Sequence, residues 1–197
     1  TSNALANGQN QTVAQNLRTK SRRHLLTHSD TEIVLNLFAE GLAKTQEASG
    51  DPNLLAFEQI CKAIQDVYRQ VNGSYRIVTL VADHGLVACR DPVCSRPLCG
   101  GKRSGRRAED IMDGVLESGE AHMVASESVA LSFLGYDVVR DVAPGEVIYI
   151  DMKGNVHTRV LDNRGARHCM FEWVYFASPE SEIDGRPVYG TRINLGK

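Results

Sequence analysis

Three cysteines, Cys89, Cys94 and Cys99, stand at even spacing in CRDPVCSRPLC (89–99). Thiols placed so could clip a metal, knot a disulfide, or sit incidentally on a strand-turn-strand. Structural zinc sites bring cysteines in close pairs, about two to four residues apart, with a second pair further on. Here both gaps hold four residues, only three cysteines take part, and no histidine lies close behind Cys99. The flanking LVAC and PLCG are short apolar runs, and the Asp and Pro between them form turns. Small half-buried thiols on strands are the common case for cysteine. The stretch therefore reads as strand-turn-strand. Five cysteines, an odd count, and no secretory pattern fit a reducing cytoplasm with free thiols.

A chain of 197 residues buries one sizeable core without staples. Its net charge of −2 offers no electrostatic reason for a nucleic-acid partner. The basic clusters KSRRH (20–24) and KRSGRR (102–107) sit beside loop residues and read as solvated loops. No apolar run reaches the length of a bilayer span, so no membrane partner is expected.

The elements that must position any site follow from periodicity. LANG (5–8) reads as a strand end entering a tight turn, since Asn7-Gly8 favours positive φ. A short helix is expected over 12–20. In SDTE, Ser29 as N-cap and Glu32 three positions on make a capping box. The apolar face Ile33, Leu37, Phe38 and Leu42 continues that helix. Asp51 and Pro52 begin another, with Leu55, Ile60, Ile64, Val67 and Val71 for burial and Gly73 to end it.

Beyond Gly73 the period changes to that of strands. SYRIVTLVA, GLVAC and RPLCG are read as strands, and 102–120 as a surface loop or short helix. HMVASE is a strand, SVALSFLG a short helix ended by Gly135, and DVVRDV a strand. PGEVIYID and NVHTRVL form a hairpin around MKGN. MFEWVYFA (170–177) is strongly β-prone and is expected to be a strand. Helices followed by mostly antiparallel strands indicate a layered α+β domain.

Several stretches together resemble one family, the glutaminase part of glutamine phosphoribosylpyrophosphate amidotransferase, or amidophosphoribosyltransferase. They are LANG, RRHLLTHSDTEIVLNLFAE, RDPVCSRPLCGGKR, MVASESVALSFLGYDVVRDVAPGEVIYID and CMFEWVYFASPESEIDGRPVYGTRINLG, in the family's order. SDTE and NG are shared with other glutaminases that use an N-terminal cysteine. VASESVAL with VAPGE, and FEWVYFASPES, are far more specific. Glucosamine-phosphate synthase and asparagine synthetase differ after the first strands and rank below.

The resemblance implies the N-terminal-nucleophile hydrolase fold, an αββα sandwich of two stacked antiparallel sheets between helix layers, incomplete at its N-terminus. Residues 1–197 would then be a type 2 glutamine amidotransferase domain without its first segment, with the connection to a phosphoribosyltransferase domain starting near 186–197. In the family an N-terminal Cys attacks the glutamine amide with its own α-amino group as base. The oxyanion is held by an Asn side chain and a Gly N–H, matched here by Asn7 and Gly8. Asp30 matches the acid that binds the glutamine α-amino group, and Gly8 belongs to the same glutamine site. On their own, Asn7-Gly8 would read as a hairpin turn. An acid in a first helical turn also favours the helix dipole.

The nucleophilic Cys and the arginine that grips the glutamine carboxylate would precede Thr1. Thr1 itself stands six residues before Asn7, the wrong place for a nucleophile, so this chain alone is expected to be inactive. The family reading brings glutamine and phosphoribosyl pyrophosphate as substrates, Mg²⁺ at the transferase domain, and a homo-oligomer when intact. In some members the Cys before the FEYVYF-like motif ligates an iron–sulfur cluster. Cys169 matches it, and a plain structural thiol is the expected reading there.

The chain departs from the family at Ala6, where His is usual, in the polar run QNQT, at Cys94 in place of Gly, and at Ser178 in place of Arg. Two other readings are a glutaminase-like domain that binds without chemistry and a glutaminase serving a different acceptor.

Overall fold

The computed structural model describes residues 7–19, 21–27, 29–49, 55–104 and 120–197, with 7–12, 48 and 49 described by backbone alone. Three helices come first: α1 (Asn7–Thr19), α2 (Asp30–Ser49) and α3 (Phe57–Gln70). Then follow β1 (Arg76–Val81), β2 (Gly85–Arg90), β3 (Cys99–Arg103), β4 (Ala121–Ala125) and α4 (Ser128–Phe133). The chain continues through β5 (Asp137–Asp141), β6 (Glu146–Asp151) and β7 (Val156–Val160). It closes with a π-helical turn (Glu172–Phe176), the hairpin β8 (Glu182–Ile183) and β9 (Arg186–Pro187), and α5 (Val188–Leu195).

Two antiparallel sheets form the body, one in the order β1-β2-β6-β7 and the other β4-β3-β5. The period-2 alternation of β2 and β6 decides what each face covers. Val87 and Cys89 with Val147 and Tyr149 meet the helices, where Leu17, Leu37, Phe38, Ile60, Ile64 and Val67 are buried. The alternate residues Ala88 and Ile148 face the second sheet and pack with Leu98, Val142 and Val124. Helix layer, sheet, sheet, and the short α4 against β3, β4 and β5 make the α+β sandwich. Among the described residues, no helix is long and apolar enough to cross a membrane.

The strands and hairpins lie where the pattern placed them, but three elements differ. α1 already begins at Asn7, so Asn7-Gly8 open a helix rather than a hairpin turn. α3 begins at Phe57; its start is set by Gln59, whose Oε1 accepts the Ala56 N–H at 2.7 Å. Residues 51–54, read from Asp-Pro as a helix start, lie outside the described residues, as does most of the 102–120 insertion.

The third difference is 170–177, which is helical. Ala177 N–H donates to Glu172 O at 2.9 Å, the five-residue closure of a π turn. Arg192 of α5 donates to Trp173 O and Ala177 O at 2.8 and 2.7 Å, satisfying the carbonyls that end the turn. Trp173 packs on Ala177, Ile183 and Val188. These tertiary contacts override the β preference of the aromatics.

The β6–β7 hairpin closes on Asp151. Its carboxylate accepts from the N–H groups of Lys153 and Asn155 and from Asn155 Nδ2, each at 2.9 Å. The Asn155 amide, followed by the backbone N–H groups and His157, holds this carboxyl well below the usual range. A group with a depressed folded pKa stabilises above its unfolded value and loses that contribution as pH falls through the folded one. The hairpin is therefore expected to hold unchanged down to about pH 5 and to loosen below it. Asp151→Asn should flatten that acid limb in amide shifts of residues 151–157; an unchanged limb would assign the transition elsewhere.

Candidate functional site

A cleft of about 720 Å³ opens between the start of α2, the strand β1 and the C-terminal π turn. Its apolar floor is Val34, Phe38, Ile64 and Ile77. Its charged lining is Asp30, Arg76, Arg96, Glu127 and Glu172.

Asp30 is presented by a loop that fixes itself. Ser29 Oγ accepts the Thr31 N–H at 3.3 Å and caps α2. Glu32 does not close the reciprocal box. It reaches further back and accepts the N–H groups of Leu26 and Thr27, both at 2.7 Å, and the Thr27 hydroxyl. The Thr27 hydroxyl, then the Leu26 amide, hold the Glu32 carboxyl below its ordinary value. Asp30 stands between these anchored residues, half-buried, and its carboxylate has no hydrogen-bond or ion-pair partner among the described residues.

The opposite wall is already paired. Arg96 forms an ion pair with the buried carboxylate of Glu172, and its guanidinium lies over the Phe176 ring at 5.0 Å. Glu127 accepts the Ser178 N–H at 2.7 Å and the Ser181 hydroxyl at 2.8 Å. Arg76 has its pKa lowered by burial, against the opposing charge of Glu172. The Ser74 and Tyr75 hydroxyls are buried beside the cleft without a hydrogen-bond partner among the described residues. Burial also pushes the Tyr75 phenol upward, so it stays protonated at neutral pH.

A carboxylate unengaged among the described residues, set over an apolar floor, suits a small ligand carrying an ammonium group and a short chain. No cysteine or histidine lines the cleft among the described residues.

Of the residues singled out from sequence, Asp30 lies in the cleft. Asn7 and Gly8 open α1, and no described side chain joins them to Asp30. Arg76, Arg96, Glu127 and Glu172 were not singled out. Three of them stood inside motifs, RPL, VASES and FEWVYF, but which of them pair is a long-range matter that spacing does not carry.

Cys89, Cys94 and Cys99 are buried, unbridged thiols. Burial pushes each up to about 12, so all are protonated at neutral pH. Cys169 is a half-buried free thiol at the entry to the π turn. Among the described residues no three His, Cys, Asp or Glu side chains are grouped to hold a metal. An iron–sulfur cluster on Cys169 would need ligands from other residues.

No protein-family model matches the chain. Amidophosphoribosyltransferase of Escherichia coli K12 is 45% identical over 197 residues, covering 98% of this chain and 36% of that protein. The enzyme of the same name from Schizosaccharomyces pombe is 36% identical, covering 92% of this chain and 33% of its own length. Among solved structures, an allosteric regulatory enzyme of purine biosynthesis superposes with a TM-score of 0.71 at 26% identity, covering 98% of this chain and 34% of that one. Glutamine phosphoribosylpyrophosphate amidotransferase from B. subtilis, complexed with ADP and GMP, gives 0.70 at 25% identity, covering 100% and 38%. The sandwich is thus the N-terminal-nucleophile fold expected from the motifs. The chain spans about a third of the length of the curated relatives it matches. In sequence and fold this chain is similar to about one third of an amidophosphoribosyltransferase.

Proposed function

We propose that the chain is the glutaminase part of an amidophosphoribosyltransferase. In that role it helps release ammonia from glutamine for the conversion of phosphoribosyl pyrophosphate to 5-phosphoribosylamine, the first step of purine synthesis. The observation that carries this reading is Asp30, a carboxylate without a partner among the described residues, held at the first turn of α2 over an apolar-floored cleft. A carboxylate so placed receives the α-ammonium group of an amino acid through a charge-assisted hydrogen bond.

The attacking thiol, its α-amino base and the transferase site, with its Mg²⁺, belong to other parts of such an enzyme. Asn7 and Gly8, at the start of α1, are the residues that would stabilise the oxyanion through an amide donor and a backbone N–H. Assembly into a homo-oligomer would follow the intact enzyme.

The test is Asp30→Asn in the full protein that carries this sequence. Loss of one charge-assisted contact should lower glutamine-dependent kcat/KM by about 10- to 150-fold. Synthesis from added ammonia should be unchanged, because free ammonia bypasses glutamine binding. Equal loss with both nitrogen sources would remove Asp30 from the glutamine site. Absence of product from either source in the unmodified protein would favour a binding domain without chemistry.

A further inference from the structure

We propose that Arg90 and Asp184 form a latch through which the β8–β9 hairpin sets the position of Arg96, and thereby the wall of the cleft. Arg90, at the end of β2 and facing the second sheet, is 1% exposed. A guanidinium has five N–H donors in a fixed fork, and a buried one must place them all. Arg90 Nε donates to Arg96 O at 2.7 Å. Nη1 donates to Val142 O at 2.7 Å and to Asp184 Oδ1 at 3.0 Å. Nη2 donates to Asp184 Oδ2 at 3.1 Å and Cys94 O at 3.5 Å. One side chain therefore ties the 94–96 loop, the exit of β5 and the tip of the hairpin.

The tip is itself shaped for this contact. Asp184 and Gly185 have positive φ of 48° and 73°, the pattern of a two-residue type I′ turn. His168 Nδ1 lies 3.4 Å from the same Asp184 carboxylate. From Arg96 the connection returns to the C-terminal segment, because its side chain pairs with Glu172 and covers Phe176 in the π turn. Asp184, Arg90, Arg96 and Glu172 thus close a circuit between two points of one segment, 172 and 184. The segment is fastened again where Glu127 accepts from Ser178 and Ser181, and where Glu182 N–H donates to Ser128 Oγ at 2.8 Å. The Arg90 guanidinium is buried, so a hairpin shift that broke its bonds to Asp184 would strand its donors, and Arg90 and the Arg96 loop follow the hairpin instead. Asp184 is a positioning residue, acting on the cleft through Arg90 and Arg96. This coupling does not depend on which ligand the cleft takes.

The test is amide hydrogen exchange on the full protein that carries this sequence, read by mass spectrometry over 172–177 and 182–187, with α3 as the internal reference. Asp184→Asn should speed exchange in both segments by about tenfold with α3 unchanged. Glu172→Gln should speed 182–187 reciprocally, and the double variant should add little to either single one. Asp184→Glu, which keeps the charge, should return exchange toward the parent rate. Glu58→Gln, which breaks the exposed pair with Arg159, should change neither segment. The latch is overturned if each variant loosens only its own segment or if the effects add. Should Asp184→Asn accelerate α3 as well through general unfolding, Glu172→Gln decides alone. No effect of it at 182–187 would then overturn the proposal.

Discussion

Arg90→Met is expected to destabilise the chain by about 3–5 kcal/mol, the loss found when one partner of a buried ion pair is removed. The apolar replacement fills much of the volume. It leaves the Asp184 carboxylate and the carbonyl oxygens of Arg96 and Val142 without their donor. Burial by itself would lower the Arg90 pKa, but the bond it donates to Asp184 helps reverse the direction and keeps the group charged. The cost therefore arises from stranded acceptors and not from a charge that could be neutralised. Urea denaturation checks it, with an unchanged slope and a lower midpoint. Adding Asp184→Asn to Arg90→Met should cost little more, since the carboxylate has already lost its partner. A loss under about 1 kcal/mol for Arg90→Met would mean that the network is a bystander to stability.

Gly145→Ala is the second large effect. Ala143, Pro144, Gly145 and Glu146 form a turn closed by Glu146 N–H to Ala143 O at 3.1 Å, with Gly145 at φ 64°. That is the type II arrangement, with proline second and glycine third. A Cβ at Gly145 would sit 1.7 Å from Asp162 O, a backbone atom that cannot turn aside. The Gly145 N–H and C=O are both committed, to Asp91 O at 3.1 Å and Leu161 N–H at 2.9 Å, so the turn cannot back away without breaking either bond. A loss of about 2–4 kcal/mol is expected from the clash and the left-handed strain together. Gly154→Ala separates the two causes. Gly154 has φ 82° but nothing within 4 Å of its Cβ position, so it should cost only about 1 kcal/mol. Equal losses at the two positions, measured by thermal or urea unfolding, would remove the Asp162 contact from the explanation.

What was legible in the sequence was what local pattern controls. The apolar stripe of α2, the short apolar runs of β2 and β6 and the MKGN turn each announce their element, because helix spacing, run length and turn residues are local signals. Asp30 could be placed at a helix start because Ser29 caps from its own neighbourhood. The π turn could not be read, because Trp173, Tyr175 and Phe176 prefer strands, and the groups that hold the turn, Arg96 and Arg192, lie 15 residues or more from the atoms they bind. α1 was shortened for a similar reason, since Asn-Gly signals a turn on its own and a helix start only in context. The cleft residues Arg96, Glu127 and Glu172 stood in plain view inside motifs. Their pairing depends on the stacking of sheets and on the return of the C-terminal segment, and no spacing encodes that.

The order of strands has a consequence for how fast the chain finds its fold. β2 is neighboured by β1, from which it follows directly, and by β6, which arrives only after Leu86 has found Ile150 some sixty residues on. The whole second sheet is made inside that excursion. Closing so long a loop gains little until the pairing is complete, so helices α2 and α3 and the β1–β2 hairpin should assemble early, with β6 docking late. In the interval, Val87 and Cys89 can already meet the helices while the far edge of β2 stands open. Refolding should accordingly show a fast helical phase and a slower phase that buries Tyr149, with aggregation competing during the wait.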